Sequence, residues 1–359
     1  MSNMILSSFD YREFGWTLKN LSPLEPTTLL VGRNATGKTR TIRALQNVTS
    51  FMQAKTTIWS TKSFSSEMRF TNPDDPHWQM IYSFIVKEGF IEKEKMLVNG
   101  EVIIKREGGV SRYRGGVINP PKDKLVAQIR RDVTTYPEIE QLMSWSEGVV
   151  VVSCSDIIPY TVPVPSMVKG FIYPVPFSTI VDALTRAEKK QVIQEAKRLD
   201  YYVTEMDSLD VGRELKLVSI RERFIRNDLI DMELSSGMLR VLYLLCFLKF
   251  IKHDNRLSLL LIDDLGEGLD YGRATTLGKM VFENCESDGL QLVAGSNDAF
   301  LMEVVDLSKW QVLLRKNSQV IALNPSNSHD LFQQFRLTGL SNFDFFSSNI
   351  IDNFMKSRS

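Results

Sequence analysis

Cysteine and histidine are scarce and scattered in this chain. Its 359 residues hold three of each: Cys154, Cys246 and Cys285, and His77, His253 and His329. An odd, widely spaced set of cysteines makes neither a disulfide framework nor a metal spacing, and it suits a reducing compartment. Three separated histidines argue against a zinc site and a histidine-based triad. Net charge is also missing, because 43 basic residues balance 43 acidic ones. A globally basic nucleic-acid binder is therefore not indicated, although a local basic groove stays open. The longest apolar stretch, Val241 to Phe250, contains Lys249 and is about half of the roughly 20 residues a membrane span needs. The N-terminus has no charged segment followed by an apolar one, so no secretion signal is expected. Heptads, tandem repeats and low-complexity tails are absent too. The expectation is a cytoplasmic protein with no membrane segment.

What is present begins at Gly32-Arg33-Asn34-Ala35-Thr36-Gly37-Lys38-Thr39, which fits the phosphate-loop pattern G-x-x-x-x-G-K-[ST]. Thr28 to Val31 reads as a buried strand running into it, and Thr39 to Gln46 as a helix leaving it. The glycines let backbone N–H groups close around phosphate oxygens, and the helix start adds partial positive charge. Lys38 is expected on the β/γ-phosphates and Thr39 on Mg²⁺. Far downstream, Leu259-Leu260-Leu261-Ile262-Asp263-Asp264 is an apolar strand ending in two carboxylates. In a phosphate-loop protein Asp263 would hold Mg²⁺, and the second acid would activate the attacking water. Leu234-Ser235-Ser236-Gly237-Met238 precedes a long apolar helix, Leu239 to Ile251. It suits a phosphate at a helix start, or simply a serine cap.

Between these motifs the pattern changes. Met4 to Leu18 suggests one or two edge strands. Glu67 to Phe70, Trp78 to Val86, Gly89 to Val98 and Glu101 to Arg106 read as an antiparallel meander, with a hairpin turn at Asn99-Gly100. Pro120 to Ser144 and Val181 to Leu199 read as helices, and Gly148 to Cys154 as a buried strand. Ile157 to Pro176 reads as irregular and proline-rich, and Glu214 to Ile220 as a strand followed by a charged run. Phe332 to Phe346 is an aromatic-rich end, either packed on the body or presented to a second subunit.

The order of phosphate loop, Leu-Ser-Ser-Gly, acidic strand and Gly268-Leu269-Asp270 resembles the ABC-type ATPases, with their signature loop and D-loop. Within that class it looks most like the SMC/RecF/OLD-like heads, including compact AAA-family ATPases of prokaryotic anti-phage defence systems. The resemblance covers nearly the whole chain. It implies an α/β fold: a mixed, mainly parallel β-core flanked by helices. An antiparallel β-meander and a helical subdomain would be inserted between phosphate loop and signature. The whole of 1–359 would be one head. Residues 1–50 and 230–330 would form the nucleotide core, 51–229 the meander and helical lobe, and 331–359 the aromatic tail.

The resemblance further implies ATP and Mg²⁺ as cofactors. Gly32 to Thr39 and Arg40 would lie on the nucleotide, with Ser235, Ser236 and Gly237 on the nucleotide of a second copy. The metal would be held by Thr39 and Asp263. Asp264 stands where relatives carry glutamate, which implies slow hydrolysis, and Glu267 is a substitute base. No switch histidine is present; either Asn297 or Ser296 stands in its place, and no Q-loop glutamine can be assigned. The expected partners are a second copy, through an ATP sandwich, and a separate effector chain. Three roles remain: a defence or toxin-type ATPase, a RecF-like DNA-repair clamp drawing on Lys189, Lys190, Lys197, Arg198, Lys105, Arg106, Arg112 and Arg114, or a non-hydrolysing scaffold.

Overall fold

The computed structural model describes residues 4–55, 63–157, 175–212, 215–347, 350, 351 and 354. β1 (Ile5–Glu13) and β2 (Trp16–Leu21) form a hairpin, β3 (Thr27–Val31) enters the phosphate loop, and α1 (Lys38–Met52) leaves it. A meander follows: β4 (Phe64–Asn72), β5 (Asp75–Lys87), β6 (Phe90–Val98), β7 (Glu101–Glu107), β8 (Val110–Tyr113) and β9 (Gly116–Ile118). Two helices, α2 (Val126–Ile129) and α3 (Pro137–Glu147), lead to β10 (Val149–Ser153). The helical lobe holds α4 (Phe177–Ala183) and α5 (Arg186–Lys197), then β11 (Val203–Asp210), β12 (Lys216–Glu222) and β13 (Leu229–Ile230). The chain closes with α6 (Ser236–Phe250), β14 (Leu259–Asp263), α7 (Tyr271–Ser287), β15 (Gln291–Gly295), α8 (Ala299–Val304), β16 (Trp310–Lys316), β17 (Gln319–Leu323), α9 (His329–Arg336) and α10 (Asn342–Ser347).

One sheet of 14 strands runs through the molecule, in the order β10-β14-β15-β3-β16-β17-β2-β1-β4-β5-β6-β7-β8-β9. Its first five strands are parallel. Of these, β14, β15 and β3 are buried along their whole length, because both faces are covered. Leu260 and Ile262 of β14 pack on one face, with α6 and α7, while Leu259 and Leu261 pack on the other, with α1 and α3. The remaining strands alternate, as in β5, where Met80, Tyr82, Phe84 and Val86 are buried and the residues between them are half-buried. The Asn99-Gly100 turn has both residues at positive φ, 50° and 83°, which a two-residue hairpin of this hand requires. The side chain of Gln291 ties the two regions, since it bonds both the N–H and the C=O of Leu6. β11, β12 and β13 make a separate three-stranded sheet.

Several expectations need correction. β1 and β2 are interior strands, flanked by β17 and β4. The helix expected over Pro120 to Ser144 is two helices, because Asp132 accepts the N–H groups of Thr134 and Thr135 in a turn and Pro137 starts afresh. Val133, one of the residues spaced by four, is 75% exposed. Val181 to Leu199 likewise breaks at Thr185, whose hydroxyl and Glu188 form a capping box. β10 is the sheet edge and is only half-buried. β12 includes the charged pair Arg221-Glu222, and β11 was not legible. Most of Ile157 to Pro176 lies outside the described residues, as does Glu214. In the aromatic end, Phe332, Phe335 and Phe345 are buried against one another, whereas Phe343 is 37% exposed. The side chain of Phe346 is outside the described residues.

Candidate nucleotide site

In a parallel sheet, ligands collect beyond the carboxyl ends of the strands. Here those ends carry Ser153, Asp263, Gly295 and Val31, side by side in the order β10-β14-β15-β3. The phosphate loop turns at Ala35 (φ 63°) and Gly37 (φ 114°). Gly32 has no room for a side chain, because a Cβ there would run into Thr36 Oγ1 and the Leu313 carbonyl. Thr36 donates from its hydroxyl to the Arg33 carbonyl at 2.8 Å, closing the loop on itself.

Lys38 is the buried cation of the site. Its Nζ donates to the carbonyls of Gly32 (2.7 Å) and Arg33 (3.4 Å). Burial pushes its pKa down, and the carboxylates acting against that shift are Asp264 and Asp263. Thr39 Oγ1 lies 3.2 Å from Asp263 Oδ1, so the two expected metal ligands meet. Asp263 is 4% exposed, and burial, with Asp264 beside it, pushes its pKa up to about 6. A hydroxyl and a carboxylate oxygen make a hard donor set, which fits Mg²⁺. Gly295 lets β15 approach this pair: a Cβ there would stand 3.3 Å from Asp263 Oδ1 and 3.8 Å from Lys38 Cβ. The loop, the buried lysine and the hydroxyl–carboxylate pair thus fit a nucleotide with its metal.

The structure separates the remaining candidates. Asp264 follows directly on β14, with its backbone in the left-handed region at φ 57° and its side chain half-buried. Such a conformation in a non-glycine residue costs energy and is concentrated at functional sites. Glu267 is exposed, and its backbone carbonyl is held by Arg240 at 3.0 Å. Ser296 is 1% exposed, and its hydroxyl donates to the Leu265 carbonyl, a structural bond. Asn297 instead reaches the loop, where its side chain bonds that of Asn34 at 2.8 Å. Arg40 turns to the rim, bound to Glu13 and lying 4.8 Å from the centre of the Trp16 ring.

Ser235 caps α6 by accepting the Met238 N–H, and both Ser235 and Ser236 are exposed while Gly237 is buried against Leu269 and Gly268. No hydrogen bond among the described residues joins them to the phosphate loop. Asp270 of the Gly268-Leu269-Asp270 stretch caps α7 and binds Arg273.

Three neighbours of the site escaped the sequence. Arg315 of β16 donates to the Ala35 carbonyl at 3.3 Å. Arg240 links the α6 helix to the loop after β14. Ser153 sits in register with Asp263 on β10, and its hydroxyl meets that of Ser155 at 3.0 Å. For Arg315 and Ser153 no local motif exists. Arg240, three residues after Leu-Ser-Ser-Gly, is the one with a motif beside it.

No family model and no curated protein matches the sequence. Among solved structures, the chain is similar to an SMC head bound to the C-winged helix domain of ScpA. That match has a TM-score of 0.56 at 11% identity and covers 91% of this chain and 99% of that one. It is also similar to an SMC head domain with an extended coiled coil, bound to the C-terminal domain of ScpA derived from Pyrococcus furiosus. Here the TM-score is 0.53 at 10% identity, with 93% and 100% of the two chains covered. With the phosphate loop, the acidic strand end and the sheet order already described, the chain has the fold of an ABC-type ATPase head, of the kind found in SMC proteins.

Proposed function

We propose that this protein binds ATP with Mg²⁺, hydrolyses it slowly and uses the cycle as a dimeric switch. The observation that carries the reading is the meeting of Lys38, Thr39, Asp263, Asp264 and Asn297 at the carboxyl ends of adjacent parallel strands. Lys38 would neutralise the β/γ-phosphates, and Thr39 and Asp263 would hold the metal. Bound Mg²⁺ supplies charge neutralisation between those phosphates. Asp264 is the favoured water-positioning group, since it acts on Lys38 together with Asp263 while Glu267 points to solvent. Aspartate is one methylene shorter than glutamate, which supports turnover at or below roughly 1 s⁻¹. Asn297, bonded to Asn34, would follow the γ-phosphate. Ser235, exposed and apart from its own phosphate loop, would act on the nucleotide of a second copy.

The role that fits best is the ATPase subunit of an anti-phage defence or toxin-type system, with the effector on another chain. Its support is the resemblance of the motifs together with the compact body, whose longest described helix, α7, has 17 residues. The RecF-like clamp is less favoured because several of its eight basic candidates are engaged in the protein's own contacts. Lys189 binds Asp207, Arg114 binds Glu101 and Glu138, and Arg106 is buried against backbone carbonyls. The test is Lys38→Ala. Wild type should gain about 2.7 kcal/mol of stability at ATP concentrations 100 times the dissociation constant. The variant should gain nothing in the same thermal-shift experiment, and equal gains would sink the reading.

A further inference from the structure

The buried side chains of the meander share one core with α1, α2 and α3, which leaves the opposite face of its strands open. Strand register brings side chains of that open face into line. Lys95 of β6 stands opposite Lys105 of β7, and Lys105 stands opposite Arg112 of β8. All three are exposed. Like charges directly opposite one another on neighbouring strands destabilise a sheet. The chain as a whole carries no net charge, so its composition does not force three cations into one row. Glu107 gives limited relief, since it binds Lys93 at 2.8 Å and lies 3.9 Å from Lys105. Among the described residues neither Lys95 nor Arg112 has an ion pair.

A second row runs beside the first. Ile81 of β5 stands opposite Leu97 of β6, and Leu97 stands opposite Val102 of β7. Ile81 and Leu97 are half-buried, and Val102 is 42% exposed. On β6 the two rows are two residues apart, about 7 Å along the strand. Where β5, β6 and β7 meet, the face dips into a depression of about 410 Å³, lined by Ser83, Ile85 and Val102 and by Lys93, Lys95 and Lys105. A basic row and an apolar row thus lie side by side across the same strands. Neither row carries an aromatic ring on which a nucleic-acid base could stack. A sugar–phosphate backbone would also leave the apolar row without a partner.

We propose that this open face docks an acidic amphipathic helix of the effector chain. The helix lies across the strands, with carboxylates on Lys95, Lys105 and Arg112 and apolar side chains on Ile81, Leu97 and Val102. This rests on the reading that a separate effector chain acts with this protein, and it names the chemistry of their contact. Neighbouring strands are about 4.8 Å apart, and a helix advances about 5.4 Å per turn. A helix at right angles to the strands therefore meets roughly one strand per turn. A carboxylate at every third or fourth position then faces one cation on each of β6, β7 and β8. An apolar stripe beside those carboxylates falls on the apolar row. Docking relieves the repulsion within the row, because each cation gains an opposite charge. The helix is then seated on the same sheet that carries the phosphate loop.

The experiment is a fluorescence-anisotropy titration of the full chain, without nucleotide. The probe is a labelled synthetic helix of about five turns, with one glutamate and one adjoining leucine facing the same side in each turn. A peptide of the same composition in scrambled order and a single-stranded oligo(dT) are the comparisons. Wild type should bind the designed helix at least about tenfold more tightly than the scrambled one. Lys95→Glu and Val102→Asp should each weaken that binding at least about tenfold. Lys105→Gln should weaken it too, while its unfolding midpoint stays level or rises, because a repelled cation has been removed. No binding by wild type, or equal binding of the two peptides, overturns the proposal. Tighter binding of oligo(dT) that is lost in Lys95→Glu overturns it by giving the face to nucleic acid. A fall in the midpoint of Lys105→Gln overturns it as well, since the row would then serve the fold. All variants should keep wild-type affinity for an ATP analogue, and a loss there would tie the row to the nucleotide site instead. The titration contains no nucleotide, so it fails or stands separately from the Lys38→Ala test.

Discussion

The two regions of the large sheet each bury a carboxylate, and they treat it differently. In the meander, Glu94 is 1% exposed and accepts the Val126 and Ala127 N–H groups and the Tyr82 hydroxyl, with Arg106 nearby. In the parallel region, Asp263 is 4% exposed, accepts the Thr39 hydroxyl and its neighbour's N–H, and faces a second carboxylate. Burial pushes both pKa values up. Glu94 is satisfied by protein groups and so fastens the start of α2 to β6. Asp263 has a second carboxylate beside it, an arrangement that the proposed metal site would use. Equal burial thus separates a structural acid from the proposed metal ligand only when the partners are counted.

The comparison breaks most visibly at Glu94. Glu94→Ala should destabilise by about 3 kcal/mol, because two buried N–H groups and a hydroxyl lose their acceptor. Thermal unfolding reads the loss, and an unchanged midpoint would mean the cluster holds nothing together. In the site the penalties should fall on chemistry. Asp264→Asn should lower ATP turnover at least about tenfold while leaving the protein as stable as wild type, whereas Glu267→Gln should turn over normally. A dead Glu267→Gln beside an active Asp264→Asn would move the water-positioning role to Glu267.

How much of this was legible depended on distance along the chain. The phosphate loop, the acidic strand end and the Asn99-Gly100 hairpin are local patterns, so residue order alone exposed them. The division between Ser296 and Asn297 was not local. It turns on Leu265 and Asn34, which lie in the loops after β14 and β3. The breaks at Thr185 and Pro137 were written in capping residues but were outweighed by apolar spacing across them. β11 carries Asp207, Ser208 and Asp210, a composition that hides a strand until β12 pairs with it. Arg315 and Ser153 became site neighbours only through strand order.

The smallest expected effect sharpens the comparison through pH. The folded pKa of Asp263, about 6, stands above its ordinary value of 3.8. Folding therefore favours the protonated form. This contribution is fully present below about pH 4 and is lost as pH rises through about 6. Without nucleotide, the unfolding midpoint of wild type should fall across that window more than the midpoint of Asp263→Asn. Identical slopes would mean that Asp263 titrates normally. With ATP, the metal needs the carboxylate ionised, so Mg²⁺ affinity should weaken as pH drops below about 6.

The unbroken strand order has a mechanical consequence. From β10 to β9 every neighbour is joined by ladder bonds, and Gln291 adds a cross-tie to Leu6. Such a plate has no internal seam, so a displacement at the phosphate loop carries the meander with it as a stiff lever. The lobe bearing β11, β12 and β13 shares no ladder with that plate. The lobe is joined to the plate through side chains instead, in the core it shares with α6 and β14, and Arg240 of α6 adds a bond to the Glu267 carbonyl.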